Sequence, residues 1–394
     1  MSGTMSNTTS TVWMGADAGD FDAFTQCVEQ KTKPEHYPLA ASIENNIPIY
    51  DGDAARKAAA GEQSRKDLMA EWATSLGTGP GVIVIRKTYD DAAPLDRATE
   101  LFDEIIQKQR DTSEGGGDHF AKPGANDRIW NALEKHCLAD PENFVDYYDN
   151  IVLAMVCEAW LGPGYQMTAQ VNRVNPGGGA QAPHRDYHLG FLQPDQIARY
   201  PSHIHAISPV LTLQGAVAHC DMPIESGPTM LLPFSQSYFE GYLAFGRPEF
   251  QDYFAQHYVQ LPLKEGDSLF FNPALMHGAG ENYSKDIFRM ANLLQISSAF
   301  GVAMETMDRT KMSGLIYPIL LRRKKDETMS FAEILAAIGA CSYGYSFPTN
   351  LDTDPPIGGL APQTQAAMMI DAISREASPE EVLGLLAKQA KRRL

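Results

Sequence analysis

The sequence predicts a mainly β core with helical regions before and after it. Between about residues 165 and 300, short β-like runs alternate with Gly, Pro and Asn, which is typical of a β-sandwich or barrel. On both sides of this stretch, apolar residues recur at helical spacing. No internal repeat or low-complexity linker divides the 394 residues. We therefore expect a flexible tail at 1–12 and a single domain at 13–394, with its core at about 80–300 and a helical C-terminal extension at about 301–394.

The N-terminal region is predicted to be largely helical, with one buried strand. Leu68, Trp72 and Leu76 lie at helical spacing, and the Gly and Pro residues that follow end that helix. Residues 82–85 are β-branched and apolar, which favours a buried strand. Further helices are predicted at 94–109, 129–136 and 144–161, and 115–128 has the composition of a loop.

The central region is predicted to form β-strands that are bounded by turn residues. These strands lie at 167–174, 210–218, 229–232, 267–271 and 289–297. Helices are predicted at 305–325, 330–338, 363–374 and 378–394, and Gly314 and Pro318 are expected to interrupt the first of them. Tyr343, Tyr345 and Phe347 form an aromatic loop, which is interpreted either as a lid over a site or as a simple core contact.

Charge and cysteine content limit the possible partners. The formal net charge of −17 disfavours binding to nucleic acid or to anionic membranes, so a small-molecule substrate is expected. The five cysteines are scattered and form no paired motif, which is typical of reduced thiols in a cytoplasmic protein. We expect no membrane span because no apolar run is long enough. The oligomeric state cannot be read from these features.

The most informative residues are His184 and Asp186, which follow a Gly-rich turn. Residues two apart in a strand face the same side, so this pair can offer one nitrogen and one oxygen to a metal ion, while Arg185 points away. His277, in a later β-like run, is the third candidate ligand. Two imidazoles and one carboxylate leave positions open on a non-haem Fe(II) ion. A lone His-x-Asp is a weak signal, because it also occurs in turns and in buried polar pairs.

A second set of residues can bind a co-substrate. Arg289, at the start of the last predicted strand, can hold a carboxylate through two hydrogen bonds, which suits a dicarboxylate. Gln170 and Asn172 share one face of a strand, as do Thr212 and Gln214, and these side chains can contact either co-substrate or substrate. Cross-strand hydrogen bonding is the competing interpretation. Lys122 can reach a carboxylate from its loop, or it belongs to a solvated surface loop.

Three sequence blocks resemble the phytanoyl-CoA dioxygenase family of iron(II)/2-oxoglutarate oxygenases. The first is residues 184–186, the second is the acidic turn, strand and following turn at 218–236, and the third extends from residue 266 to Arg289. The resemblance covers roughly residues 82–300. The chain differs from the family pattern at Ser226, where Asn is usual, at Phe234, where Gly is usual, and at Ala279, where some members have Ser.

The resemblance implies a double-stranded β-helix, or jelly roll, of the cupin-like kind. It implies that His184, Asp186 and His277 hold Fe(II) and that Arg289 holds the far carboxylate of 2-oxoglutarate. The reaction implied is a dioxygenase reaction with O2, in which 2-oxoglutarate is converted to succinate and a C–H bond of a small molecule is oxidised. Hydroxylation is the default outcome, and desaturation or cyclisation are further possibilities. An amino acid or an intermediate of specialised metabolism is the preferred substrate.

Three alternatives remain open at this point. A non-oxidative cupin-like metalloenzyme, such as an isomerase or lyase, would use the three ligands without needing Arg289. An acyl-CoA hydroxylase of the same family would need groups for the phosphates of CoA, and no basic cluster lies next to the motif. A non-catalytic barrel would keep only a vestigial site.

Overall fold

A computed structural model of the protein describes residues 12–15, 17–112, 124–186, 192–347, 350–356 and 358–393. The predicted tail therefore lies outside the described residues, apart from its last position. In chain order the strands are β1 (Ser42–Glu44), β2 (Ile47–Asp51), β3 (Val82–Arg86), β4 (Asn126–Ile129), β5 (Gln166–Val174), β6 (Thr212–Ala218), β7 (Met230–Leu231), β8 (Ser268–Phe271), β9 (His277–Gly278) and β10 (Arg289–Ser297).

Most of the strands form one large sheet. Its eight strands are ordered β1-β2-β3-β8-β6-β10-β5-β4, and every neighbouring pair is antiparallel except β2 and β3. β7 and β9 form a separate two-stranded antiparallel sheet. The β core with helical flanks that the sequence predicts is confirmed, and the five strands predicted in the central region all form, with small differences at their ends.

The two faces of the large sheet have different roles. In β3, Ile83 and Ile85 belong to the main hydrophobic core, whereas Val82 and Val84 belong to a smaller cluster on the opposite face. This alternation follows from the two-residue period of a strand. The main core extends from Tyr50 to Leu386, so the C-terminal helices share it with the sheet. The opposite face is free to line a cavity.

The α-helices of two turns or more lie before, between and after the strands in the chain. They are α1 (Phe21–Val28), α2 (Gly52–Ala59), α3 (Glu62–Gly77), α4 (Ala93–Thr112), α5 (Ala132–Ala139), α6 (Pro141–Tyr148), α7 (Ile151–Leu161), α8 (Pro248–His257), α9 (Arg309–Lys325), α10 (Phe331–Cys341), α11 (Gln365–Ser374) and α12 (Pro379–Arg393). Among the described residues, no helix is both long enough and apolar enough to cross a membrane.

Two of the helix predictions are wrong. The single helix predicted at 144–161 is divided, because Asn150 caps α7 by accepting hydrogen bonds from the backbone N–H groups of Val152 and Leu153. Conversely, neither Gly314 nor Pro318 interrupts α9. A proline inside a helix costs about 3 kcal/mol, and the burial of neighbours such as Tyr317 and Leu320 offsets that cost.

Candidate metal centre and its cavity

The backbone places His184 and His277 side by side. The N–H of His184 donates to the carbonyl of His277 at 2.9 Å, and the N–H of His277 donates to the carbonyl of His184 at 3.0 Å. This isolated antiparallel bridge connects segments that are distant in sequence. The N–H of Asp186 donates to the carbonyl of Pro273 at 2.9 Å, which fixes the third residue beside the pair.

The side chains of these residues converge on one point. Each offers one ligand atom, and the three atoms lie within 4.8 Å of one another. His184 Nε2 is 3.8 Å from Asp186 Oδ1, and His277 Nε2 is 3.6 Å from Asp186 Oδ2. The three predicted metal ligands are therefore brought together. Two imidazoles and one carboxylate fit an Fe(II) ion that keeps positions open for other ligands.

Backbone carbonyls orient both imidazoles. His277 Nδ1 lies 2.8 Å from the carbonyl of Leu275, and His184 Nδ1 lies 2.9 Å from the carbonyl of Ala182. A carbonyl can only accept, so each Nδ1 carries the proton and each Nε2 lone pair faces the site. Burial lowers the pKa of His277 to about 4, and the neighbouring imidazole of His184 adds to this effect. His277 is thus neutral at pH 7, as a metal ligand must be.

Gln214 orients the carboxylate of the triad. Its amide donates a short hydrogen bond to Asp186 Oδ2 and a second one, of 3.1 Å, to the side-chain oxygen of Gln295. Both glutamines lie on neighbouring strands of the large sheet, in register with each other. Groups of this kind, which hold a metal ligand in position, contribute to metal affinity.

A cavity of about 700 Å³ opens on the three ligands. It lies on the face of the large sheet opposite the main core, since alternate residues of β10 line it. Those residues are Arg289, Ala291, Leu293 and Gln295. The same alternation that buries Met290 and Leu294 against the helices therefore directs the predicted co-substrate ligand into the cavity.

Arg289 is a buried cation in the wall of this cavity. Its Nη1 donates to the carbonyls of Ser226, at 3.1 Å, and Gly280, at 3.3 Å. Burial lowers its pKa to about 10, so it stays charged at neutral pH. No carboxylate in the described part of the chain forms an ion pair with it. An uncompensated buried charge is costly, so an anionic ligand in the cavity would stabilise this side chain.

The other residues predicted to bind a co-substrate differ in whether they line the cavity. Gln170 and Asn172 line the cavity, and Gln170 Oε1 accepts a hydrogen bond from Arg128 Nη1 at 2.9 Å. Thr212 is not among the described residues that line the cavity, and its carbonyl accepts instead from the indole N–H of Trp160 at 2.9 Å. The structure thus places Thr212 away from the site, near the end of the strand where the cavity does not reach. Lys122 lies outside the described residues.

Several residues of the cavity wall were not predicted as site residues from the sequence. Arg128 was assigned to a loop, but it belongs to β4, opposite Asn172 of β5, and its guanidinium stacks 5.0 Å from the ring centre of Trp130. Glu305 was assigned to the start of a helix, but it precedes α9 and lines the cavity. No local sequence signal marks these positions, because tertiary packing alone brings them to the wall.

In the part of the chain that the structure describes, the aromatic loop does not line this cavity. Tyr343 and Tyr345 are absent from the described lining residues, as is Phe347. Tyr343 instead stacks under the guanidinium of Arg393, which lies 3.7 Å from its ring centre. The alternative interpretation, a simple core contact, does not describe the whole loop either, since the side chain of Phe347 is exposed.

Comparison with known proteins identifies the family. The sequence profile of phytanoyl-CoA dioxygenase (PhyH) matches residues 78–291, which is more than half of the chain. The chain belongs to the phytanoyl-CoA dioxygenase family. The resemblance seen in the sequence is thereby confirmed, and the cofactors that go with this family and with the His-Asp-His cluster are iron and 2-oxoglutarate, with O2. No curated protein matches the chain.

Several solved structures resemble the chain distantly. The non-haem α-ketoglutarate-dependent epimerase SnoN from nogalamycin biosynthesis is 18% identical, with a TM-score of 0.41, over 59% of this chain and 84% of SnoN. The carbocyclase SnoK from the same biosynthesis is 16% identical, with a TM-score of 0.43, over 61% of this chain and 87% of SnoK. EvdMO1 is 17% identical, with a TM-score of 0.42, over 58% of this chain and 50% of EvdMO1.

One departure from the phytanoyl-CoA dioxygenase pattern has a visible structural cost. Phe234 has a φ of 70°, a left-handed conformation that glycine adopts freely and that costs other residues about 1–2 kcal/mol. The ring of Phe234 is buried, and that burial offsets the cost. The change to Ser226 leaves one contact of this turn with the cavity wall in place, since the backbone carbonyl of Ser226 accepts a hydrogen bond from Arg289.

Proposed function

We propose that this member of the family is an Fe(II)/2-oxoglutarate-dependent oxygenase that oxidises a C–H bond of a small molecule. One observation carries the proposal. The three candidate ligands and the buried cation Arg289 line the same cavity. A non-oxidative metalloenzyme would use the triad alone, whereas a 2-oxoglutarate enzyme needs both the triad and a group for the far carboxylate.

Each residue has a distinct role in this proposal. His184, Asp186 and His277 would hold the iron, and Gln214 keeps the carboxylate of Asp186 in position. Arg289 would bind the far carboxylate of 2-oxoglutarate through two hydrogen bonds. Bound iron and 2-oxoglutarate supply the oxidising chemistry, in which O2 gives one oxygen atom to succinate and the other to the substrate, with loss of CO2.

The cavity leaves space for a substrate beside the co-substrate. Its volume of about 700 Å³ lies within the range of roughly 300–1,000 Å³ found for small-molecule sites. Much of its wall is apolar, including Leu192, Ile197, Met222, Phe245 and Leu263. These side chains exclude water from the reacting groups. We also propose that the two sheets form a double-stranded β-helix and that 13–394 act as a single catalytic domain.

An anaerobic titration tests the proposal. Fe(II) is added to metal-free protein, followed by 2-oxoglutarate, and the visible spectrum is recorded for the metal-to-ligand charge-transfer band of the chelate. We expect the band at one iron per chain, and then release of succinate when O2 is admitted. Iron binding without the band would favour the non-oxidative metalloenzyme, and absence of iron binding would refute the assignment of the triad.

A further inference from the structure

Glu305 is a carboxylate in the cavity wall that has no role in holding the metal or the co-substrate. It lies between β10 and α9, beyond the last residue of the family match, on a segment that also brings Met304 to the cavity. Apart from the candidate metal ligand Asp186, Glu305 supplies the sole carboxylate among the described residues that line the cavity. It is therefore a feature of this chain's own extension.

The position of Glu305 separates it from the metal centre. Its neighbour Gln170 lies on β5, whereas Gln214, which contacts Asp186, lies on β6, and β10 runs between these strands. Neighbouring strands are about 4.8 Å apart, so two spacings separate the two glutamines by roughly 10 Å across the sheet. A substrate that contacts Glu305 can thus reach the metal centre with a carbon several bonds away.

The hydrogen bonds of Glu305 are incomplete. One oxygen, Oε1, accepts from the backbone N–H of Asn131 at 2.7 Å. The other, Oε2, makes no hydrogen bond of ordinary geometry, and the side-chain amide of Gln170 is the donor that lies near the carboxylate. A partly buried carboxylate can accept several hydrogen bonds, so a donor on a molecule bound in the cavity that Glu305 lines would stabilise it further.

The electrostatic surroundings favour a cationic donor over a neutral one. Burial raises the pKa of Glu305 above its ordinary value. The hydrogen bond from Asn131 and the nearby amide of Gln170 oppose this shift, as do the charges of Lys135 and Arg128, but burial outweighs them. The charge of Glu305 is therefore only partly compensated, and a positive group beside it would complete the compensation.

From this geometry, and resting on the proposed function, we infer that Glu305 binds a cationic amino group of the substrate. The substrate class is then an amine in which a chain or ring system connects the nitrogen to the oxidised carbon over about the 10 Å that separates β5 from β6. Trp130 and Met304, which line the same part of the cavity, would contact its apolar portion. Glu305 accordingly determines specificity, and the chemistry remains with the metal centre.

Binding of matched probes tests this inference. Primary n-alkylamines of six to ten carbons and the alcohols of equal length are titrated calorimetrically into the protein, both loaded anaerobically with Fe(II) and 2-oxoglutarate and unloaded. We expect the wild type to bind an amine at least about tenfold more tightly than its alcohol, as a charge-assisted hydrogen bond provides. Glu305→Gln keeps an oxygen for Asn131 but removes the charge, and it should abolish that preference.

The controls separate the possible failures. Glu380→Gln removes an exposed carboxylate that is not among the described lining residues of the cavity, and it should leave the preference intact. In the wild type, the preference should also fall as the pH is lowered through the pKa of Glu305, which tests the inference even if the variant folds poorly. Equal binding of amine and alcohol by the wild type, or a preference that survives in Glu305→Gln, would overturn it. The charge-transfer band reports on the proposed function independently, since it forms without any amine.

Discussion

The side-chain amide of Gln214 donates a hydrogen bond to the carboxylate of Asp186, although 27 residues separate them in sequence and neither lies in a motif with the other. This bond holds the only carboxylate of the triad in the orientation that faces both imidazoles. The same amide also donates to Gln295, so its own position is fixed by the neighbouring strand.

Replacing Gln214 should therefore weaken metal binding. In Gln214→Ala, Asp186 can rotate, and we expect the affinity for Fe(II) to fall about 10–100-fold, the range typical of partners that orient metal ligands. Competition with a chelator measures it. Thr212→Ala is the matched control, because it lies on the same strand but outside the described lining of the cavity. Equal affinities in the wild type and Gln214→Ala would show that Asp186 needs no such support.

Removal of either histidine should abolish the metal site. His184→Ala and His277→Ala each leave two ligands, and we expect iron to be lost after dialysis and succinate release to cease. Because backbone atoms make the bridge between them, the far-ultraviolet circular dichroism should not change. His257→Ala, at an exposed position on α8, should keep its iron. Turnover like that of the wild type in either triad variant would contradict the assignment.

Removal of Arg289 should affect the co-substrate selectively. Under the proposed function, Arg289→Ala would lose charge-assisted hydrogen bonds to the far carboxylate, which contribute about 1.5–3 kcal/mol each. The 2-oxoglutarate concentration needed for half-saturation should therefore rise at least about tenfold. Titration of the charge-transfer band measures this without a substrate. The affinity for Fe(II) should stay the same, and Arg289→Lys should restore part of the loss. A fall in iron affinity as large as that in 2-oxoglutarate affinity would argue against this role.

The stability of the protein should depend on the protonation of Asp149. Burial, together with the negative charges of Glu333 and Asp146, raises the pKa of Asp149 to about 7. A carboxyl whose pKa is higher in the folded state binds more protons there than in the unfolded chain, so the free energy of unfolding falls as the pH rises from about 4 to about 7.

Asp149→Asn cannot ionise, so it should remove this fall in the free energy of unfolding. At pH 8 we expect the variant to exceed the wild type by roughly 2–4 kcal/mol in free energy of unfolding, and the difference should vanish near pH 4. Urea unfolding at several pH values measures it. Asp252→Asn, at an exposed position, should change the stability by less than about 0.5 kcal/mol at every pH. A difference that is independent of pH would point to a cause other than the titration of Asp149.

Strand alternation explains why so much of the site could be predicted. His184 and Asp186 were placed on one face by their spacing, and the same rule directs Arg289 into the cavity while Met290 enters the core. Such inferences need only the period of a strand. Strand alternation does not show which of two residues on the same face reaches the cavity. Thr212 and Gln214 were therefore both predicted to contact co-substrate or substrate, although of the two Gln214 alone lines the cavity.

The other residues of the cavity wall are placed by tertiary contacts, which local sequence patterns do not predict. Arg128 follows a Gly-rich stretch, and pairing with β5 makes a strand of its segment. Glu305 is brought to the wall because the chain turns after β10 to enter the C-terminal helices. Propensity and periodicity describe neighbours along the chain, whereas these positions are decided by neighbours in space.

The bridge between His184 and His277 has a consequence for the order in which the protein is assembled. His184 and Asp186 lie two residues apart in the chain, but the third candidate ligand, His277, follows only after about 90 further residues. A growing chain that ends before His277 can offer iron no more than the first two, and the antiparallel bridge that places the third cannot form. A site with all three candidate ligands therefore depends on a pairing between two segments that are distant in sequence.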